Sequence, residues 1–152
     1  MRNSQEYSVA IHALLMLNNP EGRKITSADI AASAGYDESN VRKIFAKLRQ
    51  AGLIQTKSGR GKTTLTRPAE EITLWDIYTA VEDVNVEKLF TFHHPVADAD
   101  LVGAHFSELL RPHYQRTVDA MERELSAVTI ASLCGELNAM AANKREDSGN
   151  HE

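Results

Sequence analysis

Over most of this chain the apolar positions recur with a helical period. Tyr7, Ile11, Leu14, Leu15 and Leu17 predict an amphipathic helix over 4–17, ended by the turn residues Asn18-Asn19-Pro20-Glu21-Gly22. Thr26 with Asp29 three residues on has the spacing of a capping box, opening a short second helix that carries Ala28, Ile30, Ala31 and Ala34. Gly35 ends it, because a left-handed residue at a tight turn costs glycine least. Asp37 caps a third helix over 38–51 with Val41, Ile44, Phe45 and Leu48 on one stripe, and Gly52 closes it.

Two short helices joined across Gly35-Tyr36 make a helix-turn-helix pattern. The pattern then becomes strand-like. Leu53–Lys57 and Thr63–Arg67 pair as a hairpin around Ser58-Gly59-Arg60-Gly61-Lys62, which in this position is a wing. Beyond Pro68, Thr73 and Asp76 cap a fourth helix with Leu74, Trp75, Ile77 and Tyr78, and residues 85–98 read as a loop. From about 100 to 128 the helical period returns, with Leu110, Tyr114, Val118, Met121, Leu125 and Val128 close to a heptad seam. Pro112 predicts a kink or a fresh start there. Thr129 caps a last short helix holding Cys134, and the chain from Lys144 reads as a frayed polar tail. The fold class is therefore mainly α with a small β-hairpin wing. A winged helix-turn-helix DNA-binding unit spans 1–84. A loop, a long dimerisation helix and a short terminal helix follow over 85–142, and a flexible tail over 143–152.

Charge changes this picture from a shape to an expected partner. Residues 1–67 carry 11 Lys/Arg against 5 Asp/Glu, whereas residues 68–152 carry 6 against 16. Between 39 and 67 there are 8 basic residues and no acidic one. Such asymmetry suits a polyanion, although charge alone also describes an ordinary solvated surface. Position on the pattern favours double-stranded DNA. The third helix fits a major groove, with Ser39, Arg42 and Lys43 for base edges or nearby phosphates and Asn40 and Lys47 on the same polar side. Arg60 at the wing tip suits the minor groove, while Lys57, Lys62, Arg2 and Ser4 suit the phosphate backbone.

One such module buries only about 600–1,000 Å² on DNA, which favours pairing two of them on a roughly palindromic site. The 110–128 seam is the expected homodimer surface, with packing inside one chain as the alternative. A dimeric protein-interaction module with weak DNA binding or none is the competing function. No nucleophile–base pair, phosphate loop or metal quartet marks an enzyme. There is no run of about 18 apolar residues for a membrane span and no signal-peptide pattern, so the expected location is the cytoplasm. Cys134 is the only cysteine; it reads as a small buried hydrophobe, with a redox switch as the alternative. His93, His94, His105 and His113 gather along one stretch, as exposed loop histidines or as a metal cluster. An effector, small molecule or protein, is left open.

Several segments resemble the Rrf-two family of bacterial transcription regulators, which includes the iron–sulfur cluster regulator and the cysteine-metabolism repressor. They are the run from Tyr7 to Leu14, Leu48-Arg49-Gln50-Ala51-Gly52-Leu53-Ile54, the Ser58-Gly59-Arg60-Gly61 wing and, most specific, Glu71-Ile72-Thr73-Leu74-Trp75-Asp76-Ile77 through Glu82. The resemblance extends from about residue 2 to Ile130. It implies a winged-helix dimer crossed by a long C-terminal helix. Many relatives have a more glycine-rich wing ending in an aromatic residue, where this chain has Lys62-Thr63-Thr64-Leu65. Cluster-binding relatives also carry three cysteines after the fourth helix, where residues 85–110 have none. The chain resembles the cluster-free branch, a repressor type for which no cofactor is expected.

Overall fold

A computed structural model describes residues 5–18, 21–57 and 62–149. The helix-turn-helix lies where the capping pattern places it: α1 over Glu6–Leu17, α2 over Ser27–Ala34 and α3 over Glu38–Gln50. Both halves of the Thr26–Asp29 box form, with Asp29 N donating to Thr26 Oγ1 at 3.1 Å and Thr26 N to Asp29 Oδ2 at 2.9 Å. Gly35 takes φ 62° and reverses the chain, so that Tyr36 N donates to the Ala31 carbonyl at 3.0 Å. Strands β1 (Ile54–Lys57) and β2 (Lys62–Leu65) pair antiparallel in the register Ile54↔Leu65 to Lys57↔Lys62. The tip of this hairpin, with Arg60, lies outside the described residues, as do Arg2 and Ser4. A single 3₁₀ turn over Ala69–Glu71 leads to α4 (Leu74–Val81), whose Thr73–Asp76 box also closes.

The core runs from Val9, Ala10, Ala13 and Leu14 of α1 through Ile30 of α2 to Val41, Ile44, Phe45 and Leu48 of α3. Leu53, Ile54, Ile72, Ile77 and Val81 complete it from the wing and α4. The buried face of α1 is thus centred on its alanines rather than on Ile11 and Leu15, which are half-buried. The reason is crowding. α1 packs against α2, α3, α4, β2 and the helix beginning at Ile130, and small side chains let several elements approach it closely.

Three expectations change beyond residue 84. The 85–98 stretch contains a short helix, α5 (Val86–Leu89), capped by Asn85 Oδ1 accepting from Lys88 N at 2.8 Å. The long helix α6 spans Leu101–Ser126 without a fresh start at Pro112. Pro112 and Glu108 both lie on the exposed side, so the Glu108 carbonyl that proline leaves without a donor is within reach of water. The terminal helix α7 is not short: it covers Ile130–Gly149 and continues through the expected tail from Lys144, consistent with a segment rich in alanine and other helix formers. Finally, the start of α7 packs into the core and does not stand apart from it. Ile130, at the start of α7, is fully buried in the core of the first unit.

The corner between α6 and α7 is stitched to the entry of α4. Leu74 N donates to the Val128 carbonyl and Ile130 N to the Ile72 carbonyl, both at 2.9 Å, around a Thr73↔Thr129 bridge. No described helix is long and apolar enough to cross a membrane.

Candidate nucleic-acid interface

Helix α3 buries its apolar stripe against α1 and α4, which leaves Ser39, Arg42, Lys43, Ala46 and Arg49 exposed on the opposite side. Arg42 lies along the helix in an ion pair with Glu38 at 3.2 Å, with 63% of its side chain exposed. An (i, i+4) pair at such exposure contributes little to stability, so Arg42 can leave it for a stronger partner at small cost. Glu38 also accepts from the Ser27 hydroxyl at 3.1 Å, which fixes the angle between α2 and α3. Lys43, one position further round, carries no ion pair with a described residue. Ser39 donates its hydroxyl to Asp37, the capping residue, which also accepts from Asn40 N at 3.2 Å. These bonds, the Ser39 hydroxyl foremost, hold the Asp37 carboxyl below the usual carboxylate range. Ser39 and Asn40 are therefore engaged first in building the helix start.

Lys47 is placed differently from the other basic residues. Its ammonium reaches back to Glu6 on α1 and lies 3.5 Å from the Val81 carbonyl. In the single chain it ties α3 to α1 and α4, with 41% of its side chain still exposed. Arg49 is a basic residue of α3 that the sequence pattern did not single out. It is exposed, and its Nη1 donates to Thr56 Oγ1 of β1 at 3.3 Å, bracing the wing against α3. Its charge was visible in the sequence; its bridging position was not.

The hairpin has one inward and one outward face. Ile54 and Thr63 are buried, and the Thr63 hydroxyl lies 3.1 Å from that of Thr56. On the outward face Lys57 stands directly opposite Lys62. Like charges opposed across strands are destabilising, so this pair concentrates positive charge at a cost to the hairpin. Lys62 Nζ donates to the Gly22 carbonyl at 3.1 Å, which brings the wing beside the exposed Arg23 and Lys24 of the α1–α2 connection. Nothing local in the sequence joins those two residues to the wing.

The seam expected to mediate dimerisation is largely occupied within the chain. Val118 is buried, and the Tyr114 ring stacks on Phe90 with centroids 4.3 Å apart and planes at 12°. Leu110, Met121, Leu125 and Val128 are half-buried. The large apolar side chains left open on α6 and α7 are instead Leu101, Val102, Leu109, Leu137 and Met140, each more than half exposed. The histidines do not converge either. His93 packs edge-on against Phe106 at 4.7 Å, His105 faces Glu108 at 3.3 Å, and His113 lies 2.7 Å from Arg116. Cys134 is half-buried on α7 and accepts a hydrogen bond from Asn18 at 3.3 Å.

An amphipathic helix exposed beside a basic hairpin, both braced on a three-helix core, defines a winged helix-turn-helix transcriptional regulator. The chain belongs to the Rrf2 family, described as iron-dependent transcriptional regulators, whose pattern it matches over residues 3–136. Members of this family are regulators, not enzymes. The chain is 27% identical over 130 residues to YwnA of Bacillus subtilis strain 168, an alignment covering 86% of this chain and 95% of that protein. It is 36% identical over 83 residues to YwgB of the same organism, spanning 54% of this chain but only about half, 53%, of YwgB. Both carry names of HTH-type transcriptional regulators. The solved structure of CymR, the global cysteine regulator of B. subtilis, superposes with a TM-score of 0.62 at 21% identity, over 89% of this chain and 97% of that one. At that identity the likeness concerns the fold alone.

The family description raises the question of iron. Iron–sulfur clusters are held by several thiolates, and this chain has one cysteine, placed on α7. Among the described residues no three His, Cys, Asp or Glu side chains gather where they could hold a metal ion. The donor set does not fit such a group.

Proposed function

We propose that this regulator binds a roughly palindromic operator as a homodimer, without an iron–sulfur cluster, and represses by occupying the site. The observation that carries the reading is that Arg42 and Lys43 of α3 and the opposed Lys57 and Lys62 of the wing are all exposed, with Arg49 bridging helix to hairpin. On this reading α3 enters the major groove with Arg42 forked on a base edge, and Ser39, Asn40 and Lys43 lie beside it. Arg49, Lys57 and Lys62 hold phosphates flanking it, together with Arg23 and Lys24. Arg60, Arg2 and Ser4 keep their sequence-based roles at the minor groove and backbone. Lys47, tied to Glu6 in the free chain, lies at the edge of the same surface and adds a phosphate contact.

Dimerisation follows from the same economy of contact area, and the open apolar side chains of α6 and α7 offer a second copy its surface. Residues 1–84 would then read DNA and residues 85–142 hold the dimer. Repression needs only occupancy, since a protein on a promoter excludes the polymerase. Such a protein works in the cytoplasm, where the chromosome lies. A single cysteine is the reason for leaving the cluster out of the mechanism.

Salt titration of binding to the DNA upstream of the protein's own gene tests the reading. A slope equivalent to several neutralised phosphates is expected, and Arg42→Ala is expected to weaken operator binding by about 1–3 kcal/mol while changing random-sequence binding less. Equal losses on both DNAs would make Arg42 a phosphate contact. No retardation at low salt would favour the protein-interaction module instead.

A further inference from the structure

Between α5, the loop after it and the first half of α6 lies a cavity of about 460 Å³, within the size range of small-molecule sites. Glu87, Phe92, His93, His94, Ser107 and Arg111 are among its lining residues. We propose that it binds a small organic carboxylate with an apolar body, a ligand class independent of the DNA reading above.

The argument begins with Arg111. Its Nη1 bonds to Glu87, and its guanidinium carbon lies 5.4 Å from the centroid of the Phe92 ring. Its side chain remains 48% exposed, and its other N–H groups meet no described acceptor. A guanidinium offers five donors in a planar fork that matches a carboxylate, so one bond to Glu87 leaves room for a second anion. Ser107, one turn earlier on α6, puts a hydroxyl beside it, and two imidazoles add donors across the cavity. Glu87 is the lining carboxylate, and it is already paired. The uncommitted N–H groups of Arg111 are the charged donors of the lining and favour a carboxylate, while the hydroxyl and imidazoles can each donate or accept.

Phe92 and Pro95 supply the apolar part of the wall, and ring packing holds it in place. Phe92 lies 5.6 Å from the Tyr114 ring, and His93 packs edge-on against Phe106. Gly103 of α6 admits the loop backbone closely: a Cβ there would stand 2.5 Å from the Val96 carbonyl oxygen. A ligand would thus meet the Phe92 ring next to a charged fork. An inorganic anion would leave the aromatic surface unused.

Calorimetric titration of the full chain with benzoate, butyrate, their neutral amides and inorganic phosphate tests this. At least one carboxylate is expected to bind once per chain, with its amide roughly tenfold weaker or more, the difference that one charge-assisted pair makes. Arg111→Gln is expected to lose that binding. Glu87→Gln is expected to tighten it, because the guanidinium loses its internal competitor; a gain of affinity cannot come from misfolding. The proposal is overturned if neither carboxylate binds, if amide and acid bind alike, if phosphate binds in place of both, or if Arg111→Gln binds unchanged.

Discussion

Tyr7 shows how one side chain on the first helix acts across the fold. Its hydroxyl donates to the Leu74 carbonyl at 2.8 Å, and its ring meets Tyr78 edge-on at 4.9 Å. Burial first, and the neighbouring Tyr78 second, push its pKa from 10.0 up to about 12. The folded chain holds the phenolic proton more tightly than the unfolded one. That contribution to stability is complete below pH 10 and is lost as pH rises through about 12. Tyr7→Phe is expected to cost about 1 kcal/mol at neutral pH through the missing hydrogen bond. Its stability should also fall less steeply than that of the parent above pH 10. Urea unfolding at a series of pH values checks both; identical alkaline limbs would mean that Tyr7 does not titrate with unfolding. Lys47 teaches a related point. Helical periodicity places it with Arg42 and Lys43 off the apolar stripe, yet Glu6, far upstream in sequence, claims it.

At the level of elements, the two capping boxes and the left-handed Gly35 were legible because each depends on residues within three or four positions. Asp76 does more than its box requires. It accepts from Thr73 N at 2.9 Å and from Arg67 Nη2 at 3.0 Å, joining the segment after the wing to the start of α4. Thr73→Ala removes only the cap and is expected to cost about 1 kcal/mol. Asp76→Ala removes both bonds and is expected to cost more, although the half-exposed ion pair adds less than about 1 kcal/mol. Equal losses in urea unfolding would mean that the Arg67 tie contributes nothing. The helix boundaries beyond residue 84 were harder to read, since α5 is a single turn and Pro112 sits inside a continuous helix. Proline reports the loss of a local hydrogen bond, not whether water replaces it.

For the whole molecule the proposed homodimer requires a face that meets a second copy. The heptad-like seam faces α4, α5 and the aromatic loop, while Val102 and Leu109, two turns apart on α6, stand 65% and 63% exposed. Leu109→Glu is expected to shift the protein from dimer to monomer in sedimentation and to weaken operator binding. Its unfolding midpoint at low protein concentration should change little, because the side chain is largely solvated in the single chain. A dimer that survives this substitution would move the interface elsewhere, and one lost through Tyr114→Ala alone would return it to the seam.

By itself the sequence determined the helix-turn-helix, the hairpin, their caps and the sign of the charge on them. All of these follow from residues a few positions apart, where backbone geometry and periodicity act directly. Only the tertiary structure decided which basic residues remain available. Packing draws Lys47 inward to Glu6, braces Arg49 on the wing and sets Arg23 and Lys24 beside Lys62. It also set Val118 and Tyr114 of the α6 seam against their own chain while leaving Leu110, Met121, Leu125 and Val128 half-buried. A stripe of apolar residues specifies that something must cover it, but its partner is chosen by long-range packing that no local spacing encodes.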